Sequence, residues 1–434
     1  MCNENHGFGG AASSPDVAKR KWGENQVRSI AIVGANLAGG RAVEALRQAG
    51  FDGRITLIGE EPWRPYERPP LSKEVLWDPA NVPDNFFLQD EAWYDDNRID
   101  MRLGTRAEAI DLAGGGVRLA GGELVQADRI LLATGGHARK LNLAGADCAN
   151  VHYLRTRDDA TRMALDLREG AGIVIVGMGV IGAEVAASAV KLGCKVTVVE
   201  PMPVPMERAL GRRFGQWLGE EHRRRGVATH FNCGVTGFRF AGNRVSAVEA
   251  DDGTVIPCDA VIVGVGIVPA TSLARDAGIG VNNGIIVDRR CQTSNPAVFA
   301  AGDVAEQDGF FGGRFRQETY QNAADQAQAA ALAILGQDVS HCKPMWYWSD
   351  QFDLNIQFCG QIPLEAEVAI RGEMDSNAFV AFFLAGEAIE GVLTVNRAPD
   401  MGVGKRLVER RARASAASLA DAGVSLRDLL KQAG

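Results

Sequence analysis

Ser29-Ile-Ala-Ile-Val-Gly34-Ala-Asn36-Leu-Ala-Gly39 and Ile173-Val-Ile-Val-Gly177-Met-Gly179-Val-Ile-Gly182 are two versions of one pattern. Each sets a short apolar run against a glycine-framed turn, and each turn runs on into residues that favour helix. The first leads to Glu60, after Ile55-Thr-Leu-Ile-Gly59, and the second to Glu200, at the end of Lys195-Val-Thr-Val-Val199. Strand, glycines, helix and an acid about 20 residues on are the complete dinucleotide-binding signature. A chain that holds two dinucleotides most simply passes electrons between them.

Each part of the pattern has a physical reason. The first glycine allows the tight turn, the second lets the backbone approach a pyrophosphate, and the third lets helix and strand pack closely. The anion then sits at a helix N-terminus, where free N–H groups and the helix dipole favour negative charge. The helices predicted after the turns, Arg41-Ala-Val-Glu-Ala-Leu-Arg47 and Ala183 to Leu192, are rich in strong formers and close at Gly50 and Gly193. The acid can accept a hydrogen bond from a ribose hydroxyl. Glu200 is followed by Pro201, Met202 and Pro203 with no arginine to hold a 2′-phosphate, so the second frame favours NADH over NADPH. The first frame departs from the pattern at one place, where Asn36 stands for the second glycine. Asn tolerates positive φ better than most residues but adds a side chain near the phosphates.

Composition narrows the class. The 434 residues exceed one ordinary core, and 46% hydrophobic with 23% charged residues is a globular balance. No apolar run approaches the roughly 20 residues of a membrane helix, and no signal peptide precedes the first strand. The eight cysteines form no close pair and the six histidines show no ligand spacing, so local metal or iron–sulfur ligation is not expected and a reducing cytoplasm is. A net charge of −8 argues against general nucleic-acid binding. Glu220-Glu-His-Arg-Arg-Arg225 reads as the solvated face and end of a helix. Lys405-Arg-Leu-Val-Glu-Arg-Arg-Ala-Arg413 reads as a solvated face or as a docking patch for an acidic partner.

Residues 1–28 read as a mobile tail. After the first frame comes the proline-rich Trp63–Lys73 loop, with Ser72 expected to cap a short helix Lys73-Glu-Val-Leu76. Hairpins are expected around Gly114–Gly122 and over Val245–Pro257. Strands are expected at Arg129–Ala133, Ala260–Gly266 and Val298–Ala300, the last leading to Gly302-Asp303, with a helix over Ala323–Leu335. From Pro344 aromatics cluster, including Trp346-Tyr347-Trp348, and a separate α+β domain is predicted.

The order of frame, Ala133-Thr-Gly-Gly136, second frame and Ala300-Ala-Gly-Asp303 resembles the two-dinucleotide flavoproteins with the glutathione-reductase-like fold. Pro65-Tyr-Glu-Arg-Pro-Pro-Leu-Ser-Lys73, Thr156-Arg-Asp-Asp-Ala160, Gly264 to Pro269, Arg316-Gln-Glu318 with Asn322-Ala, and Trp348-Ser-Asp-Gln351 sharpen the resemblance. They look like the FAD-dependent NADH:ferredoxin reductases of bacterial Rieske-type oxygenase and cytochrome P450 systems. The resemblance spans residue 28 to the C-terminus. It implies an α/β fold with two Rossmann-like domains and a C-terminal α+β domain: FAD binding by 29–140 and 267–343, NADH binding by 141–266, and an interface domain over 344–434.

The same resemblance assigns roles by position. Gly34, Ala38, Gly39, Glu60, Ala107, Arg139, Asp303 and Tyr320 would hold FAD, Lys73 would lie beside the flavin, and Gly177, Gly179, Gly182, Glu184, Glu200 and Gly266 would hold NADH. Glu184 would orient Lys73 from the nicotinamide side, the two shaping the electrostatics of hydride transfer without any protein nucleophile. Leu71–Trp77 carries no cysteine, which excludes the thiol–disulfide chemistry of other members of this fold. Arg314, Arg316, Trp348 and Lys405 are the candidate docking residues for a 2Fe–2S ferredoxin that feeds an oxygenase. Rubredoxin reductase, NADH oxidase and an apoptosis-inducing-factor-like redox sensor are the alternatives, and the chain is monomeric or homodimeric on either reading.

Overall fold

The computed structural model describes residues 27–432, so residues 1–26 of the expected tail lie outside the described part. Two parallel sheets carry the frames. The first has the strand order Val298–Ala300, Arg129–Leu132, Ser29–Val33, Arg54–Ile58, Ile99–Arg102, all neighbours parallel. The second runs Ala228–Phe231, Lys195–Glu200, Gly172–Val176, Ala260–Val263, Val151–Tyr153, again all parallel. Each frame strand is thus the middle strand of its sheet.

Both sheets are buried on two faces, as parallel sheets must be. Ile30 and Ile32 point at the helix Leu37–Gln48, against Ala42, Val43 and Leu46. Ala31 and Val33 point the other way, against Val117 and Leu119 of an antiparallel hairpin sheet. The second sheet repeats the arrangement. Ile173 and Ile175 face Val185, Ala186 and Ala189 of the helix Val180–Lys191, and Val174 and Val176 face Val245 and Val248 of a second hairpin sheet. The alternation of side chains along a strand produces the two layers, and each fully buried Ile or Leu contributes roughly 1.5–3 kcal/mol. An antiparallel pair, Gly136–Ala138 with Ile267–Pro269, lies where the chain passes between the two halves.

The C-terminal part is antiparallel throughout, in the order Trp346–Gln351, Leu354–Gly360, Ala388–Val395, Phe379–Ala385, Glu367–Arg371. One face, with Val380, Phe382, Leu384 and Val392, packs on Leu407 and Val408 of the helix Ala398–Glu409. The other, with Ile356, Phe358, Phe379 and Phe383, joins the core of the second frame and the Leu71–Leu76 segment. Both expected hairpins form.

Three local expectations are adjusted for physical reasons. The helix over 323–335 starts earlier, at Tyr320, because Thr319 caps it by accepting from the Asn322 N–H at 3.2 Å. Ser72 caps nothing; its hydroxyl is drawn instead to a buried carboxylate, and the short helix begins at Glu74. Glu221 and His222, read as a solvated end, are buried, and Glu221 gathers Arg224, Arg225 and Asn377. An acid with three donors around it can be buried where an isolated one cannot.

Candidate functional site

At the first frame the glycines are fixed by close packing. Gly34 has φ +121°, and an added Cβ would lie 2.1 Å from the Ala133 carbonyl oxygen. A Cβ on Gly39 would lie 1.9 Å from the Gly34 oxygen, so neither position accepts another residue without backbone movement. Asn36 is not left-handed, as its tolerance of positive φ had suggested. It is an extended N-cap at φ −122°. Its Oδ1 accepts from the Gly39 N–H at 3.3 Å, and its Nδ2 donates to the Ala133 oxygen at 2.6 Å. The side chain therefore pins the end of one strand to the start of the helix.

Other segments converge on this helix end. A Cβ on Gly302 would lie 3.1 Å from the Ala38 Cβ, which puts the Gly302-Asp303 turn directly against the first helical residues. Asp303 pairs with Arg155 at 3.0 Å, and the same guanidinium lies 3.1 Å from where a Gly135 Cβ would be. Arg68 donates to the Arg155 carbonyl and pairs with Glu61 at 2.7 Å. Arg316 donates to the Asp303 carbonyl at 2.9 Å with its side chain 7% exposed, so it braces this turn and is not free to dock a partner. Glu60 is exposed just past its strand, and Ala107 is half-buried on the hairpin strand Ala107–Asp111. The Arg139 side chain is exposed and reaches only the Ile267 carbonyl, at 3.5 Å, while its backbone N–H bonds Gly266. Tyr320 donates to Glu67 at 2.8 Å.

The second frame is arranged differently. A Cβ on Gly177 (φ +92°) would lie 2.6 Å from the Gly264 oxygen, and one on Gly182 would lie 2.1 Å from the Gly177 oxygen. Gly179, however, is the N-cap of its helix with no side-chain cap, and a Cβ there would meet nothing within 4 Å. Open space lies directly over uncapped helix N–H groups, the surroundings an anionic pyrophosphate requires. Glu200 is buried beneath this turn and accepts from the Met178 N–H at 2.6 Å and the Met202 N–H at 2.8 Å. Gly266, at φ +95°, is likewise open.

Between the frames lies the most buried charge pair among the described residues. Lys73 Nζ meets Glu184 Oε2 at 2.7 Å, with the residues 8% and 4% exposed. Lys73 sits at the joint between the turn Pro69–Ser72 and the helix Glu74–Trp77, and Glu184 is in the second-frame helix. The family resemblance had placed these two together, and the ion pair is present. Sequence reasoning missed the partners that complete the site: Ser72 Oγ donates to Glu184 Oε2 at 2.5 Å and Ser349 Oγ to Oε1 at 2.8 Å. Arg155 was missed as well, although it directly precedes the Thr156–Ala160 motif.

Of the docking candidates, Arg314 is exposed and pairs with Asp308 at 3.1 Å. Trp348 stands edge-on to Tyr320 at 5.3 Å and stacks on Trp346 at 5.4 Å. The Lys405 ammonium lies 3.1 Å from the Trp346 ring centroid, and burial lowers its pKa. Among the described residues no cysteine is paired, no cluster of side chains suits a metal ion, and no helix is long and apolar enough to cross a membrane.

Comparison with known proteins fits this geometry. The family model for pyridine nucleotide-disulphide oxidoreductases matches residues 28–327, and that for the reductase C-terminal domain matches 346–430. The chain is 39% identical over 406 residues to the ferredoxin–NAD(+) reductase component of the biphenyl dioxygenase system of Paraburkholderia xenovorans, covering 93% of this chain and 99% of that one. It is 37% identical over 382 residues to rhodocoxin reductase of Rhodococcus erythropolis, covering 88% and 89%. Among solved structures, the covalent putidaredoxin reductase–putidaredoxin complex superposes with a TM-score of 0.90 at 32% identity, over 94% of this chain and 99% of that chain. A ferredoxin reductase from Rhodopseudomonas palustris gives 0.89 at 34%, over 94% and 100%. The chain belongs to the pyridine nucleotide-disulphide oxidoreductase family, among its ferredoxin–NAD(+) reductases.

Proposed function

We propose that this protein takes electrons from NADH and delivers them singly to a 2Fe–2S ferredoxin that serves an oxygenase, with FAD held at the first frame and NADH at the second. The observation that carries the reading is the buried Lys73–Glu184 pair, which links the first-frame loop to the second-frame helix where disulfide reductases would need a thiol pair. The names of the relatives, reductase components of dioxygenase systems, point the same way.

The residues present fit both groups. At the first frame, the helix N-terminus beside Ala38, the Asp303 carboxylate and the Arg155 guanidinium offer donors and acceptors suited to phosphates and hydroxyls. At the second, the open Gly179 cradle fits a pyrophosphate. Glu200, with no arginine close behind it in the sequence, suits a ribose hydroxyl and disfavours a 2′-phosphate. Bound FAD supplies the step from two-electron to one-electron transfer. The chain supplies a fixed positive charge at Lys73, oriented by Glu184, and a core that keeps water from the pair. Residues 29–140 with 267–343 make up the FAD-binding domain, 141–266 the NADH-binding domain and 344–434 the interface domain. Arg314, Lys405 and the Trp346–Trp348 edge form the docking face for an acidic partner. The unpaired thiols suit a reducing compartment, the cytoplasm.

Anaerobic titration of the purified yellow protein tests the reading. NADH reduces the flavin and NADPH does so far less readily. Raising the salt raises the apparent KM for ferredoxin, because a charged docking face is screened. A colourless protein, or one reduced equally by both nucleotides, contradicts the account.

A further inference from the structure

Glu184 ends a longer polar chain than the ion pair needs. On the far side of its carboxylate, Ser349 Oγ meets Oε1 at 2.8 Å, Gln351 Nε2 lies 2.9 Å from Ser349 Oγ, and His222 Nε2 lies 2.8 Å from Gln351 Oε1. Ser349, Gln351 and His222 are each 0% exposed. They come from the strand Trp346–Gln351 and the helix Glu207–Arg224, so the chain joins two further elements to the carboxylate.

The direction of every bond follows from the carboxylate end. An ionised carboxylate only accepts, so Ser349 must donate to it. The Ser349 oxygen is then free to accept, which turns the Gln351 amide nitrogen toward it and the amide oxygen toward His222. The imidazole must therefore carry its proton on Nε2. Its Nδ1 is left as a bare acceptor, and that atom is buried without a partner. Burial pushes the His222 pKa down to about 4, so the ring is neutral at ordinary pH. Phe352 closes over it edge-on at 5.0 Å. An unpaired buried nitrogen is costly, and the bond to Gln351 at 2.8 Å is the hydrogen bond the ring makes.

We propose that Ser349, Gln351 and His222 are positioning residues for the Lys73–Glu184 pair. Three donors in line hold Glu184 Oε1, which leaves Oε2 directed at Lys73 and Ser72. Without Ser349 the buried Oε1 has no donor, and the carboxylate turns to share Lys73 between both oxygens and shifts the ammonium. The inference rests on the reading that Lys73 and Glu184 set the charge at the site of hydride transfer. It adds residues on the first strand of the C-terminal sheet, whose alternate side chains, Trp346 and Trp348, lie on the opposite face.

Ser349→Ala and Ser349→Thr in the purified FAD-loaded protein separate positioning from packing. With Ser349→Ala, the limiting rate of flavin reduction by NADH in anaerobic stopped flow falls about tenfold while the NADH dissociation constant stays within about twofold. Ser349→Thr keeps the hydroxyl and restores the rate. A second readout needs no turnover: in 15N-histidine-labelled protein, His222 is the Nε2–H tautomer, and Gln351→Leu abolishes its protected N–H signal. An unchanged rate in Ser349→Ala, equal losses in both Ser349 variants, or a His222 proton on Nδ1 would each overturn the proposal. Failure of NADH to reduce the unaltered protein would instead remove the functional reading beneath it, and the proposal with it.

Discussion

The two glycine frames share a strand order and differ at the helix N-terminus. In the first, the protein finishes the cap itself: Asn36 accepts from the Gly39 N–H and ties the helix to the Ala133 carbonyl. Arg155 and Arg316 then brace the adjoining Asp303 turn, and Arg68 holds the Arg155 carbonyl. In the second, Gly179 offers no side-chain cap, and a Cβ there would meet nothing within 4 Å. Its acid is buried beneath the turn and fixes the loop from below. One frame is built round by its own side chains, as suits a group held permanently. The other is left open, as suits a nucleotide that must come and go. Lys73 and Glu184 belong one to each side, so the pair is where the two designs meet.

That contrast can be broken, beginning with the largest effect. Glu184→Leu leaves the Lys73 ammonium buried without a counter-charge, with only the Pro69 carbonyl at 3.2 Å and the Ser72 hydroxyl at 3.3 Å to accept from it, and loss of one member of a buried ion pair costs about 3–5 kcal/mol. Urea unfolding should show that loss; a cost below about 1 kcal/mol, the value of a surface pair, would mean that the pair does not couple the frames.

Acid should weaken both halves. His222, on the second-frame side, and His341, bonded to Asn322 on the first-frame side, are each held at a pKa of about 4 by burial. The unfolded chain takes up these protons first as pH falls. The stabilisation is therefore complete above about pH 6.5 and is lost progressively down to about pH 4, at roughly 3 kcal/mol for each ring. Urea midpoints measured across that window check it, and a flat response would show that neither ring is buried neutral. If His222→Gln and His341→Gln each flatten the curve in part, the two halves share the acid sensitivity; if only one does, it belongs to one half.

Gly179→Asp places a carboxylate at the open helix end. NADH binding should weaken roughly tenfold or more, because like charge now occupies the anion site. The melting temperature should hold, since the new Cβ meets no atom within 4 Å. Unchanged NADH affinity in a folded variant would close the second frame as a nucleotide site. The smallest effect is at the matching position of the first frame. Asn36→Gly removes one cap and one tether, and should cost about 1 kcal/mol in urea unfolding. A variant that gained stability and bound FAD more tightly would instead make Asn36 an obstruction.

How much was legible in the sequence follows from the range of each interaction. The frames, their helices and the hairpins are local patterns, so Gly34, Gly177 and the strands beside them were readable from spacing alone. The Lys73–Glu184 pairing was carried by family resemblance, since 111 residues separate the partners. Ser349 and Gln351 stood in plain view within Trp348-Ser-Asp-Gln351, but their role depends on which face of the strand turns inward. That is settled by a carboxylate 165 residues away from Ser349. Ser72 was misread for a related reason: a serine before a short helix is an ordinary cap, and only tertiary structure offers it a buried carboxylate instead. Arg316 looked like a surface cation because nothing near it in sequence announces the Asp303 carbonyl.

The most direct test of the central claim is anaerobic stopped flow on protein whose accessible thiols have been alkylated. The account predicts that NADH bleaches the flavin as fast as in untreated protein, and that the colour returns only when oxidised 2Fe–2S ferredoxin is added. Loss of bleaching after alkylation, or rapid return of colour with oxygen alone, would contradict it.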